Sequence, residues 1–520
     1  MQRRTFLKNL GMAVGGPIML NGLGVSALSR SFLFNALGDS DKILVLVQLN
    51  GGNDGLNTLI PLDQYDNLAN ARSSILIPQN QILPLSNTLG FHPGMTGMKS
   101  LFDEGRIGLV HSVGYPDHNR SHFRSIEVMT SGSPPDEFWN TGWAGRYLDG
   151  EAPGYPTGYP NSMSPHPFAI SMGYLVSETC QGQAANYAIT LDDPFSPSNL
   201  AEWEGNEYMG SLYGYEYEYV REAIGMTNQY SQKIADAANL GNNIATYPDT
   251  QFAQQLKNVA LLISGGLQTR IYTVSLGGFD THSGQAFFEN PGVGVHSNLL
   301  KTLSDGIKSF QDDLSALGLE DKVLGMTFSE FGRQIKENGS QGTDHGTAAP
   351  MILFGACTQG MILGDNPQIP ANVGNQEGVS MHFDFRHVYG SILMDWFGLS
   401  LETAATMLFP EFQPLPVLAC GDITSAQQSV WNAAQREIQL SVYPNPFSDD
   451  TNIQFSCGDE RVRLSVFNAL GYEVEVLADG KYAEGRHEVH FRGRNLPAGN
   501  YYCRIQAEGR QKTELMVKGR

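Results

Sequence analysis

Short apolar runs that alternate with amphipathic helices most constrain the fold of this chain. The runs predict buried strands, and they lie at residues 43–47, 107–113, 270–276, 323–328 and 349–354. Apolar residues at helical spacing between or after these runs predict helices at residues 93–104, 296–317 and 385–397. We therefore predict an α/β domain over residues 38–418, built on a parallel or mostly parallel sheet flanked by helices.

A segment rich in glycine, tyrosine and proline interrupts this alternation at residues 150–245. It holds two Gly-Tyr-Pro repeats, at residues 154–156 and 158–160, and an aromatic run at residues 213–219. Segments of this length inside a compact domain are usually functional, which favours a cap over a pocket. The alternative is a surface insertion whose tyrosine rings pack for stability, and the sequence leaves both open.

The pattern changes again after a polar stretch at residues 419–438, which we predict to be a linker. Residues 439–520 contain short strands, such as residues 462–467, where apolar and polar side chains alternate. We predict a small C-terminal β-sandwich. Its Cys457 and Cys503 could form a disulfide if the protein is exported, whereas the lack of any Cys-x-x-Cys pair argues against a thiolate zinc site.

The N-terminus has the order of an export signal. Arg3 and Arg4 precede a weakly apolar stretch at residues 10–28, which glycines, a proline and an asparagine interrupt. We predict a twin-arginine signal peptide at residues 1–37, the twin-arginine machinery as a partner, and no stable transmembrane segment. The remaining residues hold 29 basic and 53 acidic side chains, a net charge of −24, which argues against a nucleic-acid partner.

Polar segments follow most of the predicted strands, and one precedes the strand at residues 349–354. Open α/β sheets bind ligands at the carboxyl ends of their strands, so these segments are candidates for a binding site. Their carboxylates and imidazoles are Asp54, Asp280, His282, Glu330, Asp344 and His345. These groups are ligands of divalent ions, so we predict a metal site for Zn²⁺, Mn²⁺, Mg²⁺ or Ca²⁺. Each motif alone also has a structural interpretation, as a turn around Asp54 or as a salt bridge between Glu330 and Arg333.

A further polar segment, residues 117–124, precedes a predicted helix and holds two arginines and two histidines. Its Ser121 lies near the helix start, where backbone N–H groups favour an anion, so it either caps the helix or acts as a nucleophile. We assign the catalytic roles to Ser121 and Arg124. The predicted substrate-binding residues are His118, Arg120, His122 and Arg333.

Residues 121–123, 278–282, 328–333 and 343–350 resemble the twin-arginine-exported family catalogued as domain of unknown function 1501. That family is itself similar to the alkaline phosphatase and sulfatase superfamily, and the resemblance covers about residues 42–410. It implies an alkaline phosphatase-like sheet, a metal centre, and a serine, threonine or modified cysteine nucleophile at a helix start. It also implies cleavage of phosphate or sulfate esters.

The resemblance assigns Ser121 as the nucleophile and assigns metal ligands to Asp54, Asp280, His282 and His345. This chain departs from the superfamily after the strand at residues 323–328, where Glu330-Phe331 replaces the usual Asp-His pair. The departure favours a single-metal or altered site. The Cys-x-Pro-x-Arg signature of sulfatases with a modified cysteine is also absent from the sequence.

The C-terminal residues resemble the type A sorting domain of type IX secretion. The resemblance rests on Tyr-Pro-Asn-Pro at residues 443–446, Leu-Pro-Ala-Gly-Asn-Tyr at residues 496–501 and the basic end at residues 518–520. It implies the type IX machinery as a partner and a final location at the cell surface or outside the cell.

We therefore expect an exported metal-dependent hydrolase that acts on a small-molecule or glycan ester of phosphate or sulfate. The alternative is a non-catalytic cell-surface protein that keeps the alkaline phosphatase-like fold and binds a glycan or another envelope polymer. The two hypotheses differ in geometry, because only the hydrolase requires the predicted ligands to converge on one ion.

Overall fold

The computed structural model describes residues 41–197, 212–419, 440–457, 460–468, 472–483, 485–507 and 510–519, with two short strands nearer the N-terminus. Apart from those strands and residue 419, the predicted signal peptide and linker lie outside the described residues. The chain divides into two compact units, Met1–Asp422 and Ile423–Arg520. Among the described residues, no helix has the length and apolar character needed to cross a membrane.

The strands of the first unit are short, and most of them belong to one sheet. They are β1 (Met19–Leu20), β2 (Leu23–Gly24), β3 (Ile43–Asn50), β4 (Leu59–Pro61), β5 (Leu83–Pro84), β6 (Leu89–Phe91), β7 (Ile107–Gly114), β8 (Ala169–Met172), β9 (Ala188–Leu191), β10 (Ile271–Gly277), β11 (Val323–Phe328), β12 (Ala349–Phe354), β13 (Ile362–Leu363) and β14 (Phe383–Asp384). The α-helices are α1 (Gly55–Thr58), α2 (Tyr65–Arg72), α3 (Thr96–Asp103), α4 (His122–Ser131), α5 (Trp143–Glu151), α6 (Leu212–Leu240), α7 (Gln251–Ser264), α8 (Val295–Ala316), α9 (Phe385–Asp395) and α10 (Leu401–Met407).

The central sheet confirms the predicted α/β class. Its described strands follow the order β13-β7-β12-β11-β3-β10-β8-β9, and β14 also pairs with β7. β3 lies between β10 and β11 and is parallel to both. β12 is antiparallel to its neighbours β11 and β7, so the sheet is mostly parallel with one reversed strand near one side.

Helices cover both faces of the sheet, and the alternation of side chains along β3 explains why. Val45 and Val47 lie in a core cluster with α3, α7 and α8, whereas Leu44 and Leu46 lie in a second cluster with α4, α5 and α9. Successive residues of a strand point to opposite faces, so an uninterrupted apolar run requires apolar partners on both. The sheet is therefore the middle layer of three.

The Gly-Tyr-Pro repeats contribute to packing. The rings of Tyr155 and Tyr187 stack at 4.2 Å between centroids, and Tyr159 and Phe168 contact the same group. Tyr155 is 5% exposed. Among the described residues, these tyrosines therefore match the packing interpretation of the insertion.

The second unit consists of two antiparallel sheets that enclose one apolar core, in agreement with the predicted sandwich. Its strands are β15 (Leu440–Tyr443), β16 (Asp450–Cys457), β17 (Glu460–Asn468), β18 (Glu473–Tyr482), β19 (Gly485–Arg492), β20 (Gly499–Ala507) and β21 (Arg510–Lys518). The suggested disulfide between Cys457 and Cys503 is wrong, because both are buried thiols.

Candidate metal centre

The polar segments that the sequence singled out meet at one edge of the central sheet. β3, β7, β10 and β11 are aligned in the same direction and end at this edge, and the antiparallel β12 begins there. The segments that follow β3, β7, β10 and β11 therefore come together with the segment that precedes β12. The expectation that the carboxyl ends of the strands carry the site agrees with this arrangement.

Nε2 of His345 and Oδ1 of Asp280 lie close to each other at this edge, and each also lies close to Nε2 of His122 and Nε2 of His282. The Nε2 atom of His345 lies 3.0 Å from Nε2 of His122 and 2.9 Å from Nε2 of His282. The Oδ1 atom of Asp280 lies 3.1 Å from Nε2 of His282, 3.4 Å from that of His345 and 3.6 Å from that of His122. His122, Asp280 and His345 each offer one ligand atom, and these three atoms lie within 4.8 Å of one another.

Oxygen atoms behind the imidazoles fix their tautomers. Each Nδ1 atom lies 2.8 Å from an oxygen, which belongs to Glu330 for His122, to Asp344 for His282 and to the backbone carbonyl of Arg120 for His345. A carbonyl or an ionised carboxylate only accepts hydrogen bonds, so each Nδ1 carries the proton. In a neutral ring the Nε2 lone pair then points at the centre, as in metal-ligating histidines.

The charges around the centre favour ionised carboxylates. Burial raises the pKa of Asp280, but the hydrogen bond and charge of Arg333, with smaller effects of His282 and His122, bring it below its usual value. Hydrogen bonds from Asn338 and His282 lower the pKa of Asp344. Burial lowers the pKa of His345, against the opposing effect of its hydrogen bond to Arg120. At neutral pH the centre thus combines an anion with neutral imidazole.

Phe331 forms the buried floor of the centre. Its ring centroid lies 4.8 Å from that of His345 and 4.9 Å from that of His122, and the residue is 2% exposed. A Cβ atom on Gly52, whose φ is +82°, would lie 2.4 Å from this ring, so the floor requires glycine there. The outer side is open, because the side chains of His122, His282 and Asp280 are 33%, 43% and 49% exposed.

Asp54 does not join the centre, contrary to its predicted role as a ligand. Both of its carboxylate oxygens accept hydrogen bonds from Nη1 of Arg72, at 2.9 and 2.8 Å, and Nε2 of Gln285 donates to Oδ2 at 2.6 Å. Asp54 and Arg72 are 1% and 0% exposed. Burial raises the pKa of Asp54, but the charges of Arg72 and His296 outweigh it and keep the carboxyl ionised. Asp54 therefore stabilises the fold as half of a buried ion pair.

Two further predicted ligands, Glu330 and Asp344, contact the imidazoles of the centre from behind. The side chain of Glu330 is 6% exposed, and it accepts hydrogen bonds from the backbone N–H of Gly51 and from His122. Oδ1 of Asp344 accepts from Asn338 and from His282. Their contacts correct the prediction, because they orient imidazoles instead of pointing at the centre themselves.

Arg333 and Arg124, two of the three predicted arginines, are buried and donate hydrogen bonds to backbone carbonyls. Arg333 is 1% exposed and donates hydrogen bonds to the carbonyls of Gly51, Gly52, Phe279 and Thr343 and to Oδ1 of Asp280. Arg124 donates to the carbonyls of Pro134, Pro135 and Glu137, and its guanidinium lies 4.0 Å from the ring of Phe138. Neither guanidinium is available to a substrate, so the substrate-binding role of Arg333 and the catalytic role of Arg124 are withdrawn.

The segment with Ser121 lies directly beside the centre. Ser121 is exposed and is the N-cap residue of α4, yet its hydroxyl makes no capping hydrogen bond. The simple capping interpretation therefore does not account for it. His122, predicted to bind substrate, instead supplies one of the converging nitrogens, and no spacing signal in the sequence distinguished that role.

His118 and Arg120 differ in how they are engaged. The ring of His118 stacks on Tyr115 at 4.2 Å, and its Nε2 accepts from the backbone N–H of Tyr115, so its predicted role in substrate binding is withdrawn. Burial lowers the pKa of His118 to about 4. The side chain of Arg120 is partly exposed and forms no ion pair with the residues that the structure describes.

Comparisons with known proteins agree with the two-unit organisation. The family model described as "Protein of unknown function (DUF1501)" matches residues 107–386. The model described as "Secretion system C-terminal sorting domain" matches residues 441–518, which indicates export to the cell surface or the extracellular space. A search of curated proteins gives no match.

Three solved structures illustrate how distant the similar folds are. PsFucS1 sulfatase from Pseudoalteromonas sp. is 10% identical, with 91% of this chain and 89% of that chain covered and a TM-score of 0.33. A protein in the alkaline phosphatase superfamily from Vibrio parahaemolyticus is 10% identical, with 87% and 80% covered and a TM-score of 0.34. PorZ, a surface component of the type-IX secretion system of Porphyromonas gingivalis, is 14% identical over 16% of this chain and 11% of its own, at a TM-score of 0.12.

Proposed function

This chain belongs to the DUF1501 family of proteins of unknown function, and from its site we propose that it is an exported metal-dependent hydrolase of phosphate or sulfate esters. One observation carries the proposal. Ligand atoms of His122, Asp280 and His345 lie within 4.8 Å of one another, and the exposed residue Ser121 directly precedes His122 in the chain.

The donor set fits a divalent cation. Acceptor atoms of neutral imidazoles repel one another at separations of 2.9 and 3.0 Å unless a proton or a cation lies between them. Asp280 supplies a negative charge at the same point, and Glu330 and Asp344 raise the basicity of the imidazoles that they contact. A divalent ion between His122, His345 and Asp280 would satisfy their acceptor atoms together.

Three residues form the core of the proposed ligand set: His122, Asp280 and His345. His282 borders it through its contacts with Asp280 and His345. When bound, a divalent ion would polarise an ester oxygen and favour the ionised form of a nearby hydroxyl. The exposed outer side of the centre leaves room for a substrate.

Ser121 is the proposed nucleophile. It begins α4, where unpaired backbone N–H groups and the helix dipole stabilise an anion. Its Oγ would lose a proton and form a bond to phosphorus or sulfur, while the bond to the ester oxygen breaks and the leaving alcohol takes up a proton. Water would then cleave the seryl ester and restore the hydroxyl.

Two neighbours of Ser121 suit an anionic ester with a large leaving group. The guanidinium of Arg120 has no carboxylate partner among the described residues and would bind phosphate or sulfate oxygens. The ring of Phe123 is 84% exposed, so it offers an apolar face to an aryl group or a sugar. Export to the cell surface supports a small-molecule or glycan ester found outside the cell.

Metal analysis and ester hydrolysis with the purified full chain test the proposal. We expect bound metal, turnover of an aryl phosphate or an aryl sulfate, and loss of turnover in Ser121→Ala with the metal retained. Ser162→Ala, at an exposed serine in another segment, is the matched control. Metal-free protein that stays inactive after Zn²⁺, Mn²⁺, Mg²⁺ and Ca²⁺ are each added would overturn the proposal.

Phe331 favours a second candidate function, a surface protein that binds a glycan or an envelope polymer without catalysis. The ring occupies the sequence position at which the superfamily resemblance calls for a metal-binding histidine. The two candidates differ in turnover. Protein that holds the metal, binds envelope glycan and hydrolyses no ester would support the binding protein.

A further inference from the structure

We infer that the centre is built for one ion of the zinc class per chain and discriminates against Mg²⁺ and Ca²⁺. The inference rests on the proposed function in using the same centre, and it adds the identity and number of the ions. It follows from the kind of donor atoms, from their spacing, and from the hydrogen bonds that the other nearby carboxylate oxygens already accept.

Nitrogen dominates the donor set. The core set offers two imidazole nitrogens, of His122 and His345, and one oxygen, of Asp280, and the imidazole nitrogen of His282 borders it. Mg²⁺ and Ca²⁺ take six or more ligands that are almost all oxygens. Imidazole suits zinc and neighbouring transition metals, so the side chains present match that class.

The spacing of the donors suits zinc. Zinc bonds of 2.0–2.1 Å in a tetrahedral arrangement separate neighbouring ligand atoms by about 3.3 Å. Among the three core ligands, Nε2 of His345 lies 3.0 Å from Nε2 of His122, and Oδ1 of Asp280 lies 3.4 and 3.6 Å from these two nitrogens. Shifts of a few tenths of an ångström would bring them to zinc distances.

The oxygens that calcium would require are engaged elsewhere. Glu330 accepts hydrogen bonds from Gly51, Ser329 and His122, and Oδ1 of Asp344 accepts from two donors. Both oxygens of Asp54 are bonded to Arg72. Oδ1 of Asp280 also accepts a hydrogen bond from Arg333, but it is the carboxylate oxygen of this group that lies within 3.6 Å of the Nε2 atoms of the imidazoles.

Among the residues that the structure describes, the buried side of the centre offers no second set of ligands. Phe331 packs its ring against both His122 and His345, and this apolar surface offers no donor. Asp54, to which the superfamily resemblance assigns a metal, is neutralised by Arg72. We therefore expect a stoichiometry of one ion per chain.

Titration of the metal-free full chain with Co²⁺ tests the inference without an activity assay, because Co²⁺ in a histidine-rich site of low coordination number absorbs visible light strongly. We expect absorption that saturates at one equivalent, is abolished by equimolar Zn²⁺ and persists in millimolar Mg²⁺ or Ca²⁺. His122→Asn and His345→Ala should lose it, whereas His382→Ala, at an exposed histidine, should keep it. Circular dichroism of each metal-free variant verifies that it folds.

The outcomes separate the inference from the proposed function. Displacement of Co²⁺ by Mg²⁺ or Ca²⁺, saturation at two equivalents, or an unchanged spectrum in His345→Ala would overturn the inference. Ester hydrolysis supported by Mg²⁺ or Ca²⁺ would then leave the proposed function standing. Conversely, one tightly held Zn²⁺ in a protein that hydrolyses no ester would support the inference and contradict the proposed hydrolase.

Discussion

The Nδ1 atom of His345 donates a hydrogen bond to the carbonyl oxygen of Arg120, at 2.8 Å. His345 is a member of the proposed metal centre, and Arg120 directly precedes Ser121. His122, on the other side of Ser121, is a second member. The proposed nucleophile is thus held on both sides by residues of the centre, which couples its position to metal binding.

Removal of the metal should loosen the segment around Ser121. Without an ion, the imidazoles of His122 and His345 lose the common partner that orders them, so residues 117–124 should exchange amide hydrogens at least several-fold faster. Hydrogen exchange measured by mass spectrometry before and after chelation checks this. The long helix α8, whose apolar face is buried in the core, is the internal control and should not change. Equal exchange in both states would contradict the coupling.

Glu330→Gln should weaken metal binding while the fold is retained. The carboxylate accepts from Nδ1 of His122, and loss of its charge lowers the basicity of that imidazole. Such partners typically contribute about 10–100-fold to metal affinity, and we expect a loss in that range. Competition with a chromophoric chelator measures it. Glu337→Gln is a matched control, because Glu337 binds Ser74 and does not contact the centre; an equal loss there would remove the specific role of Glu330.

The central strands were predictable because buried parallel strands leave an uninterrupted apolar run. β11 and β12 have the predicted bounds, and β3 begins at the predicted residue. The edge that carries the centre followed from the same pattern, since strands that point one way end together. The reversal of β12 left no comparable signal, because apolar content is the same in either direction.

Residue types alone could not predict which carboxylates of the centre are ligands and which are hydrogen-bond partners of its histidines. A carboxylate serves equally well as a ligand or as the partner of a histidine, and only distance distinguishes Asp280 from Glu330 and Asp344. The partner of Asp54 was missed for a related reason. Arg72 lies 18 residues further along, at the end of the short helix α2, and no motif links the two.

Arg72→Met should destabilise the protein strongly. It leaves the carboxylate of Asp54 buried without its ion partner, which typically costs about 3–5 kcal/mol. Urea unfolding of the metal-free protein measures the free energy of unfolding. Adding Asp54→Asn should recover part of the loss, because the uncompensated charge is then gone. Lys301→Met, which breaks an exposed pair with Asp305, should change stability by less than about 1 kcal/mol. A similar small effect of Arg72→Met would show that Asp54 is stabilised by other groups.

Acidification should destabilise the first unit partly through His111. This histidine lies on β7, is 2% exposed, and its Nε2 has no hydrogen-bond partner among the described residues. Burial lowers its pKa to about 4, against the attraction of Asp365, whereas an unfolded histidine has a pKa of about 6.5.

Because the folded-state pKa of His111 is the lower one, the unfolded chain binds the proton first as the pH falls. Stability should therefore decrease between about pH 6.5 and about pH 4, by up to about 1.4 kcal/mol per pH unit from this group alone, and become independent of it at lower pH. His111→Gln removes the titration, so its unfolding free energy should fall less steeply over the same range. Urea unfolding in the presence of a chelator, which excludes the metal centre from the comparison, measures both slopes. Parallel slopes for the wild-type protein and the variant would show that His111 is protonated equally in the folded and unfolded chains.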